Sequence, residues 1–141
     1  MKVDLRVNGS ATVWEDWGLR MGDGFIDALT EPLTMKPYIE NESRLEHGKR
    51  IVVDSNPKIE SRDLELDFTI TGVDEDDFRK KRDDFFFSVI YRGNVDIQVP
   101  ALGSETYHLV YLGKGGEYGL SPLRNFCHFI LKFTEPNPMN R

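Results

Sequence analysis

Several short segments of this chain carry residue types that chemistry uses. Gly113, Gly115, Gly116 and Gly119 surround Lys114, the composition of a phosphate cradle. The G-x-x-x-x-G-K-[ST] spacing is absent, and no helix follows to aim its N-terminal amides at an anion. Residues 113–119 therefore read as a plain hairpin loop. Cys127 and His128 would be a nucleophile and its base, but neighbouring side chains on a strand point to opposite faces. The pair reads as a buried cysteine beside an exposed histidine. His108 and His128 lie on consecutive expected strands whose pairing would bring the imidazoles close. Two histidines make no zinc site without a third ligand. The acids Asp74, Glu75, Asp76 and Asp77 lack the alternation and central glycine of a calcium loop, and read as the capping run of a helix. Asp63, Glu65 and Asp67 share one face of one expected strand. Glycosidases set two carboxylates on either side of a cleft; three on one strand face read as a solvated acidic surface with an electrostatic role at most. No base, nucleophile and orienting group can be placed together. The expectation is no enzyme, no cofactor and no metal site.

A second kind of candidate is a contact surface. Trp14, Trp17, Leu19, Met21, Phe25, Ile26 and Tyr38 lie in or beside a stretch with no regular core pattern. Aromatic residues are favoured anchors at interfaces, and equally favoured in cores. These seven are the candidate partner-binding residues.

The elements that must position these groups follow from composition and pattern. The chain has 141 residues, is 39% hydrophobic and 11% aromatic, and carries a formal charge of −6. That size suits one domain with a sizeable core, spanning residues 1–141. The acidic balance lacks the basic footprint of a nucleic-acid binder. No apolar run reaches the roughly 18 residues of a membrane helix, and the N-terminus alternates apolar and charged residues with no signal-peptide core. Cys127 is the only cysteine, which excludes an internal disulfide and suits a reducing cytoplasm.

Residues 1–14 read as a β-hairpin turning at Asn8, Gly9 and Ser10. Residues 15–50, interrupted by Gly18, Gly22, Gly24, Pro32, Pro37 and Gly48, hold no period and read as a long loop or arm that packs on a partner. Ile51, Val52 and Val53 begin a return to strand. Leu64, Leu66, Phe68 and Ile70 alternate with Asp63, Glu65, Asp67 and Thr69, the cleanest strand signal in the chain. Residues 74–92 predict a helix, N-capped by Asp74, with acid-first pairs Glu75–Arg79, Asp76–Lys80 and Asp77–Lys81 and an apolar face of Phe78, Phe85, Phe86, Val89 and Ile90. Gly93 is its expected C-cap. Further strands are expected around Val95 to Val99, Thr106 to Leu112 and Phe126 to Phe133. The fold class is mainly β (α+β): an antiparallel β-sandwich or split barrel of six or seven strands with one packed α-helix and a long arm.

In that order and spacing, residues 60–138 resemble the N-terminal domain of phage distal tail proteins. A strand with an Arg near its start, Arg62-Asp63-Leu64-Glu65-Leu66-Asp67-Phe68-Thr69-Ile70-Thr71-Gly72, runs into the charged helix around Asp76-Asp77-Phe78-Arg79-Lys80-Lys81-Arg82-Asp83. A Gly and a short strand ending in Pro follow, Arg92-Gly93-Asn94-Val95-Asp96-Ile97-Gln98-Val99-Pro100. Then come Tyr107-His108-Leu109-Val110-Tyr111-Leu112 and a closing aromatic strand, Phe129-Ile130-Leu131-Lys132-Phe133-Thr134-Glu135-Pro136. The resemblance implies a structural protein of the virion tail, made in the cytoplasm of a bacterial host. It implies self-assembly into a hexameric ring between tail tube and tail tip, contact with other tail proteins, no membrane, and DNA as passing cargo. Residues 15–50 would be the family's belt-like extension. Many members carry a second, sugar-binding-like domain beyond the position of Pro138, so no direct part in host adhesion is expected here. Six copies at −6 would carry −36, with Asp63, Glu65 and Asp67 as channel-facing candidates that repel phosphates. The rival reading is a monomeric β-sandwich binding module, for carbohydrate, with Tyr107, Tyr111 and Tyr118 on a concave face.

Overall fold

The alternating strand expected near the middle of the chain is an interior strand of the main sheet. In the computed structural model, which describes residues 4–37, 39–42, 44, 47–53, 56 and 58–141, strand β5 spans Arg62–Thr71. Before it come β1 (Arg6–Val7), α1 (Val13–Trp17), β2 (Leu19–Met21), α2 (Phe25–Thr30), β3 (Ile39–Glu42) and β4 (Lys49–Val52). After it come α3 (Glu75–Ser88), β6 (Asn94–Gln98), β7 (Tyr107–Leu120) and β8 (Phe126–Glu135), with 3-10 turns at Ile90–Arg92 and Pro100–Leu102. Six strands form one antiparallel sheet in the order β1-β6-β7-β8-β5-β2, and β3 pairs with β4 in a separate two-stranded ribbon. The large sheet curls into a half-barrel around the one long helix. Of the two architectures expected, this is the split barrel.

Leu64, Leu66, Phe68 and Ile70 all face inward and are buried, as the alternation requires. Phe68 is the hub. Its ring lies 5.2 Å from Phe25, 5.7 Å from Phe129 and 5.9 Å from Phe85, centroid to centroid, the spacing at which aromatic pairs attract. The helix expected over residues 74–92 ends at Ser88 and hands over to the 3-10 turn before Gly93. Asp74 caps it, its side chain accepting from the Asp77 N–H at 2.8 Å. Glu75–Arg79 and Asp77–Lys81 form as expected, at 3.2 and 3.0 Å, while Asp76 approaches Arg79 instead of Lys80, at 3.9 Å.

Three local expectations give way. The chain turns at Asn8 and Gly9, both at positive φ, and Ser10 bridges back to Val7. The segment after it is then α1 and not a returning strand: the Thr12 carbonyl accepts from the Asp16 N–H at 2.9 Å, and Val13 and Trp17, one helical turn apart, are both buried. Residues 15–30, read as part of an irregular arm, are the rest of α1, β2 and α2, packed on the core. Helices of five and six residues are too short to establish a period, and the glycines between them are geometry and not slack. Gly18 leaves α1 at φ 59, where a Cβ would run into the Thr71 carbonyl. Residues 113–119, read as a hairpin loop, continue strand β7, and the turn comes later, between Leu120 and Phe126. The register slips between Tyr111 and Gly115 and again between Gly115 and Tyr118. The glycines allow these bulges and a close approach to β8, since a Cβ on Gly115 would lie 2.9 Å from the Ile130 carbonyl.

What projects is a β-ribbon. Lys36 N–H donates to the Lys58 carbonyl at 2.9 Å and Glu60 N–H to the Thr34 carbonyl at 2.8 Å. The ladder resumes at Ile39↔Val52 and runs to Glu42↔Lys49.

Phe68→Ala is expected to cost about 3–5 kcal/mol, whereas the outward Asp63→Asn should stay within about 0.5 kcal/mol of the parent. Denaturant melts of the two variants check the inward row; equal midpoints would refute it.

Candidate interaction surfaces

The candidate contact residues divide sharply. Trp17 is buried between helices: its ring lies 5.5 Å from Phe85, and its Nε1–H donates to Asp84 Oδ2 at 2.7 Å. Leu19 and Phe25 are also fully inside the subunit. Their apolar area is already covered by their own chain. Trp14 and Met21 are half-buried, and the Arg20 guanidinium stands 4.4 Å over the Trp14 ring. Ile26 is exposed. Tyr38 lies outside the described residues. Leu5, Val13, Trp14, Leu19 and Met21 line a cleft of about 440 Å³ where the two edges of the half-barrel approach each other, with Asp4 and Glu15 among its walls.

The three strand acids also divide. Asp63 and Glu65 are exposed, and Glu65 lies 3.4 Å from Lys132 Nζ on β8. Asp67 is tucked under Gly22, whose N–H donates to the Asp67 carbonyl at 2.8 Å. A Cβ on Gly22 would come within 2.6 Å of Asp67 Oδ1, an atom that is buried without a hydrogen-bond partner. Burial pushes the Asp67 carboxyl above its ordinary range; His128 opposes this, while Asp23 and Glu117 add to it. Interleaved with Lys132, this face of the sheet is mixed in charge rather than uniformly acidic.

The remaining candidates for chemistry lie apart. His108 Nδ1 lies 2.9 Å from Asp96 on β6, and His128 Nε2 lies 3.9 Å from Glu117 on β7. The bulged register places His128 across from Gly119 and not His108, so the imidazoles expected to meet do not. Cys127 is buried opposite Ile70, and burial pushes its thiol up to about 11. Tyr107 is buried, Tyr111 packs 5.8 Å from Phe133, and Tyr118 is exposed.

The sequence reading missed one network. Glu135, at the inward end of β8, is fully buried and accepts from Arg62 Nε at 2.7 Å and from Arg141 Nε and Nη2 at 3.0 Å each. Arg62 also donates to the carbonyls of Ala28 and Leu29, at 3.1 and 3.0 Å, which ties the end of α2 to the sheet. Arg141 stacks 4.6 Å above the Tyr107 ring. The signal that could have found this network is parity: Arg62 and Glu135 sit on the inward phase of their strands.

Burial alone would raise the Glu135 carboxyl, but the hydrogen bonds and charges of Arg141 and Arg62 outweigh it and hold it below its ordinary range. A carboxyl depressed in the folded state stabilises above its unfolded pKa of about 4.3, and that contribution disappears as pH falls through the lower folded value. Arg62→Met leaves the buried Glu135 carboxylate with Arg141 alone and should cost up to about 3–5 kcal/mol at neutral pH. Its deficit should shrink in acid, where the less well compensated carboxylate takes up a proton. Thermal melts from pH 7 to pH 3 check this; a deficit that does not change with pH would dismiss the electrostatic account.

No family model matches the chain, and no curated protein matches it. Among solved structures it is similar to the Dit protein of phage SPP1, described as a paradigm of the hub adsorption apparatus in phages that infect Gram-positive hosts. The likeness has a TM-score of 0.59 at 16% identity, over 96% of this chain and 50% of that one. The chain thus spans half the length of SPP1 Dit, and what the two share is a fold.

Proposed function

We propose that this protein is a non-enzymatic structural component of a phage or prophage tail. In this reading it forms a closed ring of six copies at the junction of tail tube and tail tip, in contact with other tail proteins. The observation that carries the reading is the fold likeness to a phage hub protein along almost the whole chain. Two features of the subunit support it. The ribbon of β3 and β4 stands off the main sheet and exposes Ile51, Val52 and Val53 at 47%, 51% and 65%, an apolar strip of the kind that marks contact sites. The arm read from the sequence as residues 15–50 thus shifts to roughly residues 34–60. The chain also carries a net charge of −6, which suits a ring through which DNA slides unbound. The sheet face bearing Asp63, Glu65 and Asp67 is the candidate lumen wall; with Lys132 among them, it avoids gripping phosphates through mixed charge.

Native mass spectrometry or light scattering over a concentration series tests the ring. A species near six times 16.3 kDa is expected, and the exposed double variant Ile51→Asp, Val52→Asp should abolish it without lowering the melting temperature. A strict monomer at every concentration, or tight DNA binding that weakens steeply with salt, would remove the ring and favour a monomeric binding module.

A further inference from the structure

We infer that the outer face of α3, continued by the turn after it, docks a short acidic helix of a different protein, with Phe87 and Tyr91 as the anchors. The inference needs one copy of the chain only, so it goes beyond the ring and does not depend on it.

Two adjacent aromatic rings stand bare on the folded chain. Phe87 is 68% exposed and Tyr91 59%, and they meet edge to face at 5.3 Å. Tyr91 also packs 5.7 Å from Phe86 and 6.4 Å from Tyr111, and Tyr111 reaches Phe133 in the core. The pair is thus held in place from below, which keeps the side-chain entropy lost on binding small. Rigid aromatic anchors of this kind dominate the energies of interfaces.

The sequence sets these rings on a stripe. Lys80 lies seven residues before Phe87 and Tyr91 four after it, so the helical period brings all three to one face. At 1.5 Å per residue the stripe is roughly 16 Å long, about three turns. A helix face presents no unpaired backbone, so no strand can add to it; another helix packs its ridges into the grooves.

Charge selects the partner. The stripe and its borders carry three cations, Lys80, Arg82 and Arg92, against Asp83 and Asp84. Arg82 lies 3.3 Å from Asp83, and Asp84 accepts from Trp17 at 2.7 Å and from Ser88 at 3.1 Å. Lys80 and Arg92 are exposed and make no hydrogen bond or ion pair among the described residues. Lys80 feels Asp77, itself bonded to Lys81, only at longer range. On a chain of net charge −6 the bare rings are therefore flanked at both ends by cations. Carboxylates on either side of an apolar centre complement that order. A second copy does not: a two-fold contact centred on the rings sets Lys80 of one copy beside Arg92 of the other, like charge against like.

NMR titration of the full chain, labelled at its amides and aromatic rings, tests the face. The probe is a synthetic helical peptide with Trp and Leu one turn apart and glutamates on both flanks. One control carries lysines in place of the glutamates, and another carries alanines in place of Trp and Leu. The acidic peptide is expected to shift the Phe87 and Tyr91 ring signals and the Arg92 amide, and to bind several-fold more tightly than the lysine control. The alanine control should leave those signals unmoved. Phe87→Ala should weaken binding about tenfold or more and Arg92→Glu several-fold, both at the parent's melting temperature because both side chains are exposed. Equal affinity for the acidic and lysine peptides overturns the inference, as does binding that Phe87→Ala leaves intact, or no ring shift up to millimolar peptide. Ring shifts produced by maltoheptaose and not by the peptide also overturn it, and assign the face to carbohydrate. Every outcome is read on the single subunit, so failure here leaves the ring reading standing, and failure of the ring leaves this face standing.

Discussion

Everything in this fold hangs on the unbroken register between β5 and β8. The pairing runs from Arg62↔Glu135 to Thr71↔Phe126 with no bulge. It sets Leu64 beside Phe133, Leu66 beside Leu131, Phe68 beside Phe129 and Ile70 beside Cys127, all on the inward face. Because side chains alternate with period two, a slip of one residue would carry Glu65, Asp67 or Lys132 into the core. The same register brings Arg62 to Glu135. The apolar row and the buried ion pair therefore specify one alignment by independent means, and the ion pair adds a penalty for any other, since a buried carboxylate without its partner is costly.

The helices take their positions from this row. α3 lays Phe78 and Phe85 on it, and α2 contributes Phe25 against Phe68 and gives its last carbonyls to Arg62. α1 is held from the other side by Trp17, which touches Phe85 and bonds Asp84. Elements that come early in the chain are thus fastened to elements late in it.

This explains what could be read from the residues in order. β5 and α3 are long, and their periods of two and 3.6 are visible in Leu64 to Ile70 and Phe78 to Ile90. The helix cap at Asp74 was legible because its chemistry is local. Trp17, Leu19 and Phe25 were not legible as core, because each lies on an element of three to six residues and is buried by partners far along the chain. The glycines of β7 misled for a different reason. Glycine marks a turn and also marks close backbone approach within a bulged strand, and only the partner strand distinguishes the two. The mainly β class followed from alternation, which left sandwich and split barrel open, and alternation also set Cys127 and His128 on opposite faces. The Arg62–Glu135–Arg141 network required knowing the register.

The redistribution of apolar residues bears on what the folded chain exposes to water. Had Trp17, Leu19 and Phe25 been the contact surface, the free subunit would expose a large aromatic patch, an aggregation liability. Instead those groups are folded inside, and the exposed apolar groups include the run Ile51, Val52 and Val53, preceded by Lys49 and Arg50, and the paired rings of Phe87 and Tyr91. Charge beside an edge is a standard guard against indiscriminate strand pairing. The other edges are guarded by geometry, through the bulges of β7 and the Ser10 bridge over β1. Among the described residues, the short β2 edge borders a cleft whose charged lining is mixed, with Arg20 beside Asp4 and Glu15.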